Sequence, residues 1–331
     1  MKKLINNISL SKEEMIKANG KQFKTLINTK YANMLNNLRE ILREERKKYN
    51  SDIEFYQNIA HQYASTYIPQ IINDYGNSLS QETIQKLINI VKGDGLKVFN
   101  PDGAVEQGYI STNDKGVPNG DVGAFARPDL GIIGFTPESE SSKIDFSQLD
   151  IHDLYNTFPK LKEYDLSSLT KEQIKELITI ENSVKMITSM IHETFHLLIG
   201  VKKEERFYYS ENGEVKHKLT SGGFILDEGL VDKFANDFAE RHEFYHLPGF
   251  FYIDYVKLCD GIEKRIGSAA FNKLAFTCSY EEFLSKTLTQ EEFNLYKFNE
   301  RKKYFQKRGI NNVDILIENE NSLEKGPHQK L

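Results

Sequence analysis

The stretch His192-Glu193-Thr194-Phe195-His196 decides how the rest of this chain is read. It sets two imidazoles four residues apart with a carboxylate between them. On an α-helix, positions i and i+4 share a face, so both rings reach a single ion while Glu193 hangs beside it. In a random chain of this His and Glu content the pattern arises about 0.02 times, which is rare but not decisive. A second element downstream adds weight. In Asp227-Glu228-Gly229-Leu230-Val231-Asp232, Glu228 and Asp232 are again four apart and share one helical face.

These residue types fit zinc hydrolysis. A catalytic zinc takes three protein ligands and leaves one position for water, and His, His, Glu is one of the sets used on peptides. His192 and His196 supply nitrogen and Glu228 oxygen, for one Zn2+ per chain. Amide attack also needs a base that takes a proton from water and hands it to the leaving amine, and Glu193 is placed for that task. A metal-bound histidine donates its other ring N–H to a carboxylate; Asp232 is the candidate, with His192 as its partner. The bland alternative, an ordinary helix with two histidines, accounts for neither Glu228 nor Asp232. A lone glutamate in a first helical turn, however, is favoured by the macrodipole alone. His217 is the rival third ligand, in a charged stretch from Glu211 to Lys218 that reads as a solvated hairpin. The developing oxyanion needs a donor. Tyr245 and His246, in Arg241-His242-Glu243-Phe244-Tyr245-His246, are the candidates, set against a polar-tipped aromatic cluster that packs a helix end.

On these residues the chain resembles the gluzincin group of zinc metallopeptidases, the thermolysin-like proteins that combine His-Glu-x-x-His on one helix with Glu-x-x-x-Asp on a second. The resemblance covers roughly residues 170–245 and implies zinc on His192, His196 and Glu228, Glu193 as base, and Asp232 behind a ligand. It also implies a zincin-like fold in which a small sheet precedes the active-site helix and an edge strand pairs with extended substrate. Two related patterns are missing. His196 is followed by Leu197-Leu198-Ile199-Gly200-Val201-Lys202, without the glycine and third histidine of metzincins. In place of the aminopeptidase Gly-x-Met-Glu-Asn segment stands Gly123-Ala124-Phe125-Ala126-Arg127, without the acid that grips a free amine, so an endopeptidase is expected.

Patterning outside the motif gives an α+β, predominantly helical chain with a small mixed sheet before the active-site helix. Thr170-x-x-Gln173 reads as a capping box, and Ile174, Leu177, Ile178, Val184, Ile191, Phe195 and Leu198 then recur near a 3.6-residue period, with Gly200 as the stop. Leu230, Val231, Phe234, Ala235 and Phe238 repeat it around Glu228, which falls in a first turn after the loop Ser221-Gly222-Gly223. Upstream, Ser11-x-x-Glu14 caps a long helix towards Tyr49 whose charged run, Arg39 to Lys48, is its solvated side. Residues 51–73 form another helix, and a third opens at Ser78-x-x-Gln81 and closes at Gly93. Residues 122–126 and 131–135 are candidate strands joined through Arg127-Pro128-Asp129, either of which is a candidate substrate edge, set against an ordinary hairpin that caps the core. Helices return over 250–266 and after Ser279 and Thr289. The expected domains are a helical N-terminal region (1–95), a zincin-like metallopeptidase domain (96–310) and a C-terminal tail (311–331).

Composition excludes several classes. With 331 residues, 39% of them hydrophobic, the chain has enough apolar content for a substantial core. A net charge of −5 argues against nucleic acid or an anionic membrane as partner. Cys259 and Cys278 lack ligand spacing and read as thiols in a reducing compartment. No apolar run follows Met1-Lys2-Lys3 as in a signal peptide, and none is long enough to span a membrane, so the default compartment is the cytoplasm. The expectation is a zinc-dependent peptidase acting on peptide or protein. Its rivals are a non-catalytic protein of the same fold that binds a peptide or protein partner, and a zinc hydrolase of a non-peptide amide or ester. An intact Glu193 argues against the first, because a structural metal site has no use for a base.

Overall fold

The computed structural model describes residues 20–107, 123–137, 151–199, 204–211, 214–221, 224–247, 253–278, 280–289 and 291. The chain divides into two compact units, residues 1–200 with 231–253, and residues 201–230 with 254–331. Helices dominate the described residues, and the sheets are small, in keeping with an α+β class.

The first unit opens with α1 (Gly20–Arg46) and α2 (Asp52–Tyr75), followed by a 3-10 turn (Gly76–Ser78) and α3 (Gln81–Lys92). Ser51 caps α2 by accepting the Glu54 N–H at 3.3 Å, and the stripe Phe55, Ile59, Tyr63, Tyr67 and Ile71 is buried along its length. The cap of α3 is Ser80, which accepts the Thr83 N–H at 3.1 Å, and not Ser78; the tighter 3-10 turn takes up the preceding residues. Gly93, with φ 94°, closes α3 in the left-handed conformation. The proposed cap Ser11 lies outside the described residues, and so does the tail from 311.

A three-stranded mixed sheet follows, ordered β1 (Leu96–Val98), β3 (Ile132–Phe135), β2 (Ala124–Arg127). β1 runs parallel to β3, and β2 antiparallel, with Phe125 opposite Gly134. β3 is therefore central, which corrects its candidacy as the substrate edge: its two sides are taken by β1 and β2. Among the described residues β2 is an edge, and it lies against the motif helix. The Phe125 ring covers Gly134 so closely that a Cβ there would stand 2.1 Å from Cζ. A short α4 (Pro101–Glu106) lies between β1 and β2, and α5 (Ile151–Thr157) comes after β3.

The motif helix is α6 (Lys171–Ile199). Its capping box is formed: Thr170 N–H donates to Gln173 Oε1 at 2.8 Å and Gln173 N–H to Thr170 Oγ1 at 3.3 Å. From Ile178 to Ile199 it is buried on most sides, as expected of a helix surrounded by others. Three of its buried hydroxyls are satisfied within the helix: Ser183 donates to Thr179 C=O, Thr188 to Val184 C=O and Thr194 to Met190 C=O, each at 2.8 Å. The expected stop, Gly200, lies outside the described residues.

Arg39 corrects the reading of α1. It does not sit on a solvated face: it is 5% exposed and forms a two-pronged pair with Glu181 of α6, Nε to Oε1 at 2.5 Å and Nη2 to Oε2 at 2.9 Å. A planar guanidinium matched to a carboxylate is the form in which such charges tolerate burial. Residues 20–95 share one unit with the sheet and α6.

α7 (Phe224–His242) runs through both units, its residues from Val231 belonging to the first. The second unit holds the antiparallel hairpin β4 (Glu204–Glu211) and β5 (Glu214–Ser221), then α8 (Ile253–Ile266), α9 (Ser268–Thr277) and α10 (Tyr280–Thr287). Phe271 and Phe283 meet edge to face at 5.7 Å between α9 and α10. Cys259 is buried and Cys278 is half-buried. No helix among the described residues is long and apolar enough to cross a membrane.

Candidate metal centre

At about 100° per residue, His192 and His196 lie 40° apart on α6, while Thr194 falls on the opposite side. The two rings are tilted at 75° to one another, and their Nε2 atoms face each other at 3.1 Å. Glu228 stands at the fifth position of α7, one turn before Asp232 rather than in the first turn, so the macrodipole does not account for it. Its carboxylate and the two imidazoles offer ligand atoms that all lie within 4.8 Å of one another. Bonds of about 2.0–2.2 Å in a tetrahedral shell put ligand atoms about 3.3–3.6 Å apart, so a side-chain adjustment of about 1 Å completes the set. Two neutral nitrogens and one carboxylate oxygen suit zinc.

Behind His192, its Nδ1 and Oδ1 of Asp232 are 2.8 Å apart. Asp232 is 1% exposed and His192 is 16% exposed by side chain, so water screens this bond little. A carboxylate only accepts, so Nδ1 carries the proton and Nε2 presents its lone pair towards His196 and Glu228. The site therefore fits a metal in donor type, tautomer and spacing. Glu193, half-buried, sits on the flank of the same helix face.

Aromatic packing sets the register that brings α7 to α6. Phe195 stacks on Phe234 at 5.7 Å, Tyr75 meets both edge-on at 5.7 and 5.8 Å, and Phe238 closes on Phe195 at 6.0 Å. Slide α7 by one turn and Asp232 loses His192. On the back of α6, the buried Tyr67 hydroxyl lies 2.7 Å from Thr194 Oγ1. Thr194 gives its own proton to Met190 C=O, so Tyr67 is the donor. Burial pushes the Tyr67 hydroxyl well above the usual tyrosine range, with a smaller push from the Glu193 charge, so it stays protonated. α2 thus holds the helix at a residue between the two histidines. The spacing of tyrosines on α2 marks a core stripe and nothing more, which is why this role has no signature in the sequence.

Tyr245 and His246 sit differently from expectation. They are 7% and 3% exposed. Tyr245 C=O accepts the Tyr63 hydroxyl at 2.6 Å, and His246 Nδ1 lies 3.1 Å from Thr188 C=O. Burial pushes the His246 imidazole down to about 4, against a partial pull upward from Asp232. An oxyanion donor must face the substrate, and two buried groups turned into the core give that role no support. His217 lies on β5 opposite Tyr208, and its side chain is outside the described set.

No protein-family model, no curated protein and no solved structure matches this chain.

Proposed function

We propose that this chain is a zinc-dependent peptidase of the gluzincin type, an endopeptidase that cleaves an extended peptide. One observation carries the reading: His192, His196 and Glu228 converge from two helices while Asp232 fixes the tautomer of His192. Bound zinc supplies a Lewis acid that polarises the scissile carbonyl and makes water acidic near neutral pH. Glu193 takes the proton from the attacking water and delivers it to the leaving amine, which its place between the ligands on the same helix allows. His192, His196 and Glu228 hold the ion, and Asp232 keeps His192 aimed. The edge strand β2 offers backbone groups to an extended substrate, the arrangement by which an added strand gains affinity without demanding one side chain.

The test is incubation of zinc-loaded protein with an unbiased peptide library, beside Glu193→Gln. The substitution keeps the shape and removes the base, so zinc is retained while turnover falls about 10²–10⁴-fold. Equal cleavage by both proteins sinks the assignment of Glu193.

A further inference from the structure

The chain leaving α7 turns back sharply, and what it delivers is His246. Glu243 adopts φ 56°, in the left-handed region that a residue with a Cβ rarely occupies. Phe244 N–H then donates to Ala239 C=O at 3.0 Å, closing the helix end. Tyr245 C=O is held by Tyr63, and His246 Nδ1 (3.1 Å) and Leu247 N–H (3.4 Å) both reach the single carbonyl of Thr188. Strained backbone of this kind persists where its surroundings over-determine it. Here the bonds on either side point to one outcome, an imidazole seated on α6 one turn before His192, on the same face.

The chemistry of that imidazole is constrained. A carbonyl only accepts, so Nδ1 carries the proton and Nε2 is a lone pair. Nε2 is buried, and among the described residues it has no hydrogen-bond partner; the same holds for Oδ2 of Asp232, whose other oxygen grips His192. Asp232 and His192 are the titratable neighbours that act on His246. His246 rests on Thr188 and Asp232 on His192, one turn apart on α6, and each leaves one buried acceptor without a donor; a water molecule with two O–H groups is the smallest group that serves both.

We propose that His246 is a positioning residue of the metal centre: its Nε2 and Oδ2 of Asp232 share one buried water, which keeps Asp232 turned to His192. This rests on the metal reading of the site. The order is His246, water, Asp232, His192, ion, and the first three touch neither substrate nor metal. Losing the far end of the His246 ring frees Asp232 to rotate and slackens the aim of His192. The two ends of the ring have separate jobs: Nδ1 anchors to Thr188, and Nε2 serves Asp232.

The experiment compares zinc affinity, by chelator competition on the full chain, for the unaltered protein, His246→Asn and His246→Gln, with the melting temperature of each metal-free protein alongside. His246→Asn keeps an amide N–H for Thr188 and loses the Nε2 end, so zinc should bind about 10-fold more weakly at an unchanged melting temperature, the lower end of outer-partner losses. His246→Gln carries an amide group to the Nε2 position and should restore affinity. Equal affinity in all three proteins, or equal loss in both variants, overturns the role of His246 and leaves the metal reading standing. Absence of zinc from the unaltered protein overturns both. If the variants melt early, ring ¹⁵N spectra of the unaltered protein decide: a neutral His246 protonated at Nδ1 is expected, and a ring protonated at Nε2, alone or together with Nδ1, overturns the proposal.

Discussion

Replacing Asp232 by asparagine changes one charge and almost no volume, which makes it the sharpest probe of the site. The carboxylate is 1% exposed and its bond to His192 Nδ1 is 2.8 Å, so its whole strength is felt inside the protein. A hydrogen bond to a charged group contributes about 1.5–3 kcal/mol, and a neutral one about 0.5–1.5 kcal/mol. The exchange therefore removes about 1–1.5 kcal/mol from the form of His192 that binds zinc, about 5–12-fold in affinity. Asp232→Ala removes the bond altogether and should cost about 10–100-fold, as losses of such partners do. Neither variant should abolish binding, because the three ligands remain. The assay is zinc competition against a chromophoric chelator at neutral pH, with melting of the metal-free protein as the control for folding. A folded Asp232→Ala protein that binds zinc as tightly as the unaltered one would refute the reasoning, since the tautomer of His192 would then not depend on Asp232.

Three other expectations follow from particular contacts. Glu228→Ala should lose zinc more completely than Asp232→Ala, whereas His217→Ala should retain it; the reverse order in a binding titration assigns the third ligand to the hairpin. Gly134→Ala must displace the Phe125 ring, whose Cζ stands 2.1 Å from the new Cβ, and overpacking of this kind costs about 1–3 kcal/mol, read in denaturant unfolding; no loss of stability would mean that the ring does not cover β3. Tyr67→Phe leaves the ring in place and removes one buried bond to Thr194, so about 0.5–1.5 kcal/mol of stability should go, while zinc stoichiometry is kept. A Tyr67→Phe protein with unchanged unfolding would remove α2 from the support of the motif helix.

The site is far more legible in the sequence than its surroundings, and the reason is local. Helical spacing fixes which of His192, Glu193 and His196 share a face, and the same arithmetic pairs Glu228 with Asp232. Capping boxes are equally local, so Thr170-x-x-Gln173 marks the start of α6 within a residue. Contacts between distant residues leave no such trace. Arg39 looks like one more charge in a basic and acidic run, and only its partner 142 residues away in the chain, Glu181, explains its burial. Strand order is another long-range property: residues 132–135 and 124–127 read alike, yet the parallel addition of β1 makes one central and the other an edge. The left-handed turn at Glu243 has no glycine to announce it, and so the route that buries Tyr245 and His246 is invisible until the chain is folded.

The central claim is that His192, His196 and Glu228 together hold one zinc ion, and X-ray absorption at the zinc edge of protein given one equivalent of metal tests it most directly. The account expects two imidazole nitrogens and carboxylate oxygen at about 2.0–2.2 Å, with the imidazole signal halved in His196→Ala. A protein that takes up no zinc, or a spectrum unchanged when His196 is removed, would contradict it.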